Sequence, residues 1–139
     1  MKLQQAAKLA LTGLALVACT VTLAQGRVDL GQREYDSHCA TCHGPKGQGK
    51  GPYNEFLKRD APDLTTMAQR NGGVFPVART FDLIEGAGLG HGTRDMPIWG
   101  QEYRVLAGEY YGDVPYNAEA FVSGRILALI EYLNRLQVK

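Results

Sequence analysis

Apolar residues along this chain recur at helical spacing and nowhere alternate as in a half-buried strand, so the pattern predicts an all-α protein. The clearest element follows Asn117, a candidate cap. After it Phe121, Ile126, Leu129, Ile130, Leu133 and Leu136 form one apolar stripe about five turns long. Nearer the start, Asp29 with Gln32 three residues on resembles a capping box. Leu30, Gly31, Glu34, Tyr35 and His38 then fall at helical spacing, which predicts a first helix ending near Cys39. Asp63 caps a short helix over 64–70 that stops at Asn71, Gly72 and Gly73. Pro76 opens another, whose apolar positions Val77, Phe81 and Ile84 lead to a stop at Gly86.

Between these elements the chain is rich in glycine. Glycines at 44, 47, 49 and 51 exclude a stable helix or packed strand and predict a loop lying against something. Glycines at 86, 88, 90 and 92 form a second loop that leads to Met96, Pro97, Ile98, Trp99 and Gly100. The segment from Tyr103 to Tyr116 reads as an excursion between that loop and the last helix, either contacting a partner or covering the site. Four or five short helices with this much loop make a thin core, so something besides side chains should fill it.

The first two dozen residues stand apart. Lys2 and Lys8 precede an apolar run from Leu9 to Leu23, and no acidic residue occurs before Asp29, the layout of a secretory signal peptide. Cutting after Ala24 leaves residues 25–139 as one domain and changes the net charge from +1 to −1. A rival cut before Cys19 follows from Leu16, Val17, Ala18 and Cys19, which resemble a lipobox and would tether the protein to a membrane through a lipid on Cys19. Either cut places the domain outside the cytoplasm. A charge this close to neutral gives no basic field for a phosphate backbone, which argues against nucleic acid as a partner.

The chemistry is concentrated at Cys39, Ala40, Thr41, Cys42 and His43, which spell C-x-x-C-H, the attachment signature for c-type haem. Two thiols three residues apart at a helix end can reach the two vinyl groups on one porphyrin edge, and the histidine next to them is held beneath the ring. A redox dithiol would need a βαβ pattern and zinc a second Cys or His pair, and the sequence offers neither. A second axial ligand would close the iron to substrates. The candidates are Met67, His91 and Met96. Met96, in a glycine-rich loop with Pro97 fixing its exit, is the choice; Met67 reads as a core filler and His91 as a loop histidine.

With these motifs the chain resembles the bacterial class I c-type cytochromes along nearly its whole mature length. The resemblance implies short helices and Gly-rich loops wrapped around one covalently attached haem c, with iron ligated by His43 and Met96. It implies a proline carbonyl on the other nitrogen of His43, with Gly51 and Pro52 matching that element, and a close crossing of the terminal helices through Gly31, Tyr35 and Tyr132. The implied function is a periplasmic one-electron carrier and not an enzyme. Its donor and acceptor would be redox proteins, a membrane oxidase or a periplasmic dehydrogenase among them. The alternatives are a haem subunit of a larger periplasmic oxidoreductase, with residues 103–116 as its contact, and a sensor or peroxidase in which Met96 leaves the iron beside His91 and Arg94. Lys46, Lys50, Lys58 and Arg59 outnumber Glu55 and Asp60, an ordinary solvated face that would also suit an acidic partner.

Overall fold

The apolar stripe after Asn117 forms the longest element, and the rest of the chain is arranged around it. In the computed structural model, which describes residues 28–86 and 96–138, this helix runs Ala118–Arg135 and buries Val122, Ile126, Leu129, Ile130 and Leu133. The Asn117 side chain caps it by accepting the Ala120 N–H. In chain order the elements are α1 (Leu30–His38), α2 (Ala40–His43), a 3-10 turn (Asn54–Phe56), α3 (Met67–Arg70), α4 (Val77–Glu85), α5 (Trp99–Tyr111) and α6 (Ala118–Arg135). Among the described residues there is no strand, and no helix is long and apolar enough to cross a membrane.

Helix α1 starts where the sequence indicates, with Asp29 Oδ1 accepting the Gln32 N–H at 2.9 Å. It crosses α6 at Gly31, where a methyl group would lie 2.0 Å from the Ala128 carbonyl oxygen and 2.9 Å from Tyr132 Cβ. Only a residue without a side chain fits there. Next to the crossing the rings of Tyr35 and Tyr132 meet at 5.3 Å, so the expected trio of Gly31, Tyr35 and Tyr132 does come together. Glu34, one turn on, is buried and paired with Arg125 of α6. A buried ion pair adds little net stability, but removing one partner strands the other charge.

Two expectations about local structure need correction. The short helix expected over 64–70 begins only at Met67, because Asp63 uses its Oδ1 to accept the Thr65 N–H (2.7 Å) and hydroxyl (2.6 Å), closing a turn rather than capping a helix. The excursion expected over 103–116 is mostly helix: α5 reaches Tyr111 and buries Gly100, Tyr103 and Ala107 against its neighbours. Tyr103, Ala107 and Tyr111 fall at helical spacing, but glycines and exposed aromatics obscure the stripe. Arg104 then ties three helices together, reaching Glu85 of α4 at 2.7 Å and Glu119 of α6 at 3.0 Å. The C-terminal residues also hold α3 in place. Gln137 accepts the Ala68 N–H and donates to the Leu64 and Leu133 carbonyls, while the Val138 N–H bonds the Thr65 carbonyl.

The crossing gives a direct prediction. Gly31→Ala should lower the unfolding free energy by about 3 kcal/mol in urea titrations, because the new methyl meets backbone that cannot move aside cheaply. Gly124→Ala, exposed on α6 with nothing within 4 Å of the added carbon, should instead raise it by about 0.5–1 kcal/mol through helix propensity. Equal effects of the two substitutions would show that the crossing is not a close contact.

Candidate functional site

A helix leaves its last carbonyls without partners, and α2 is a single turn that ends at His43. The glycine loop that follows supplies all the donors. The Ala40 carbonyl accepts from Gly44 (2.8 Å), Thr41 from Tyr53 (3.0 Å), Cys42 from Gly51 (3.0 Å) and His43 from Gly49 (2.9 Å). Such close backbone contact explains two of the glycines. A Cβ on Gly51 would lie 2.2 Å from the Thr41 oxygen, and one on Gly49 would lie 2.3 Å from the Ala61 oxygen, at a φ of +74°. Tyr35 adds a bond from α1, its hydroxyl donating to the Gly44 carbonyl at 2.5 Å. The short helix carrying Cys39, Cys42 and His43 is therefore held from below by backbone rather than by a core of its own.

His43 is buried, and its Nδ1 lies 3.0 Å from the Pro62 carbonyl oxygen. A carbonyl can only accept, so Nδ1 carries the proton and Nε2 is left with a lone pair. Burial lowers the imidazole's pKa below its ordinary value, with the bond to Pro62 acting in the opposite sense. A neutral ring with Nε2 free to donate electrons is what a metal ligand requires.

The carbonyl partner was expected at Pro52, and the structure corrects this to Pro62. The Gly51 N–H before Pro52 is engaged with the Cys42 carbonyl, and it is the Pro62 carbonyl that lies within reach of His43 Nδ1. Pro62 comes back to His43 because the intervening turn is pinned twice. Asn54 accepts the Ala61 N–H at 2.7 Å while donating to Asp60 at 3.0 Å, and the Leu64 N–H bonds the Gly47 carbonyl at 2.7 Å. The signal in the sequence is a second proline, beside Asp63, but spacing alone does not tell one proline from the other.

Cys39, Cys42 and His43 line one side of a cavity of about 500 Å³, and Met67 and Met96 also line it. The size is that of a small-molecule or cofactor pocket, roughly 300–1,000 Å³. Leu57, Leu64, Leu83, Ile84 and Leu133 contribute apolar wall, and the exposed residues Arg59, Arg70 and Arg79 contribute cationic groups. His38 and Trp99 close another part, their rings 4.6 Å apart, with His38 Nε2 also 3.4 Å from Glu34. The thiols are free, Cys39 buried and Cys42 half-buried. Burial, then the charges of Glu34 and Cys42, pushes the Cys39 thiol up to about 12. Met67 also packs on the hydrophobic core, whereas Met96 borders the cavity without belonging to that core. His91 and Arg94, the glycines at 88, 90 and 92, and residues 1–27 with Cys19 lie outside the described residues.

The donor set of two thiols, an imidazole and a thioether, in an apolar pocket with cations among its lining residues, fits a flat apolar macrocycle that holds iron and carries acidic edge groups. The comparisons agree with that reading. The family model for cytochrome c matches residues 28–102. No curated protein and no solved structure matches the chain. The family match covers more than half of the chain and includes both thiols, His43 and Met96, so the chain belongs to the cytochrome c family.

Proposed function

We propose that the protein is a one-electron carrier, with one haem c bound through thioethers at Cys39 and Cys42 and ligated by His43 and Met96. When bound, the haem supplies a ferric/ferrous couple. The observation that carries this reading is that both thiols, a neutral buried imidazole with Nε2 free, and Met96 all border one cavity. Family membership supports it as well, since cytochromes c generally carry electrons rather than catalyse reactions.

Each residue has a defined task. Cys39 and Cys42 fix the macrocycle edge to α2. Pro62 orients the His43 ring and strengthens it as a donor. Met96 contributes a soft thioether that favours the reduced iron, and with the apolar walls it excludes water and small ligands. Met96 is preferred to Met67 because Met67 is already packed against the core around α3. Arg59, Arg70 and Arg79 offer charge partners for acidic groups on the macrocycle edge. We assign the carrier to the periplasm on the leader-like residues 1–24, with a lipid anchor if the cut falls before Cys19, and to redox proteins as donor and acceptor.

Optical spectra test ligation. The holoprotein should give sharp low-spin ferrous bands, no response to carbon monoxide, and a weak red sulfur-to-iron band that Met96→Ala removes and Met67→Ala keeps. Ready carbon monoxide binding by the unmodified protein would favour a sensor or peroxidase instead, and loss of the band only in Met67→Ala would reassign the ligand.

A second test concerns the Pro62 carbonyl. Gly49→Ala and Gly72→Ala both place a side chain at positive φ, but only position 49 touches the Ala61–Asp63 turn. Gly72→Ala should cost about 1–2 kcal/mol of stability through backbone strain alone, and Gly49→Ala more, because its Cβ also meets the Ala61 oxygen at 2.3 Å. Only Gly49→Ala should raise the midpoint potential, because a weaker bond to Nδ1 makes His43 a poorer donor to ferric iron. Potentials that stay equal in the two variants would remove Pro62 from the tuning of the site.

A further inference from the structure

Outside the cavity, the feature that electron carriage leaves unused is the outer face of α5 and the turn after it. Tyr103 and Ala107 face inward. Along the flank beside them Glu102, Leu106, Glu109, Tyr110 and Asp113 form an exposed stripe at helical spacing, in which Leu106 is 40% and Tyr110 80% exposed. Val114, in the following turn, is 62% exposed. Large apolar groups grouped this way on a surface are uncommon unless something covers them.

Two properties of the corner say what would cover it. First, it is preorganised. Tyr110 meets Tyr111 edge-on at 5.0 Å, Tyr111 stacks on Tyr116 at 4.6 Å, and Tyr111 meets Phe121 edge-on at 5.6 Å. Rigid tyrosines lose little entropy on binding and serve as interface anchors. Second, it is negative. Glu109 and Asp113 have no hydrogen-bond or ion-pair partner among the described residues. The one Lys or Arg between Trp99 and Glu119 is Arg104, which Glu85 and Glu119 already neutralise. The cavity lining has the opposite net sign, with Arg59, Arg70 and Arg79 against Asp60.

We propose that this corner is a docking surface for a protein partner whose contact face carries Lys and Arg around an apolar centre. Tyr110 and Val114 provide the apolar contact, and Glu109 and Asp113 provide the charge that selects and orients the partner. The proposal draws on the electron-carrier reading in one respect: the partner is then a redox protein of the same chain of transfers. Docking itself uses no haem.

The test places a photo-crosslinking p-benzoylphenylalanine at position 114 of the full chain in its native cells, leaving the tyrosines intact. The expected result is an adduct with another protein, joined through a Lys- or Arg-rich segment. Its yield should fall at least about tenfold in the Glu109→Lys, Asp113→Lys double variant and fall with added salt. The haem spectrum of each variant should match the parent, since these exposed side chains hold nothing in the fold. An adduct with a second copy of this chain, an adduct indifferent to charge reversal, or no adduct would each overturn the proposal. A charge-dependent adduct from a protein lacking a haem spectrum would uphold docking and count against the electron-carrier reading alone.

Discussion

The hydrogen bond between His43 Nδ1 and the Pro62 carbonyl fixes the chemical character of this site. Because the oxygen can only accept, the bond settles which nitrogen is protonated and which is left to bind a metal. Much of the surrounding backbone serves that geometry. The glycine loop after α2 satisfies the carbonyls of the motif helix, and the same loop bonds Leu64 and abuts the Ala61–Asp63 turn that carries Pro62. One short segment therefore holds the motif on one side and the acceptor on the other. A side chain at Gly51 would meet the motif helix, and one at Gly49 would meet the acceptor turn.

The larger frame is built by different means. The close crossing of α1 and α6 at Gly31 packs Tyr35, Ile126, Leu129 and Leu133 into a core, and the ion pair of buried Glu34 with Arg125 bridges the two helices. Arg104 and Gln137 then attach α4, α5 and α3 to the same long helix. The result is a core that runs from the α1–α6 crossing to Ile84 of α4 and Tyr103 of α5, with the cavity beside it sharing Ile84 and Leu133 as wall.

Several features were legible in the sequence because they depend on local chemistry. Asp29, Asn117 and Gly86 mark helix ends through capping and a left-handed residue, and Cys39, Cys42 and His43 are set by spacing within one turn. The Gly31 crossing was legible only through resemblance, since nothing local shows which helix will lie against it. What could not be read depends on long-range return of the chain. Pro52 and Pro62 are equivalent until the Asn54 and Gly47 bonds bring one of them back. Asp63 looks like a cap until Thr65 takes both of its bonds. Helix α5 was hidden because exposed Val105, Leu106 and Tyr110 and the glycines at 100 and 108 blur the buried stripe of Tyr103 and Ala107.

The central claim is that Cys39, Cys42 and His43 form a site for a covalently attached haem. The most direct measurement is the intact mass under denaturing conditions of the protein produced in a haem-attaching exporting host, followed by the mass of the peptide containing residues 39–43. The account predicts the chain plus one haem, retained after unfolding, with both Cys39 and Cys42 modified on that peptide. An unmodified mass, or a haem that leaves on denaturation while both thiols stay free, would contradict it.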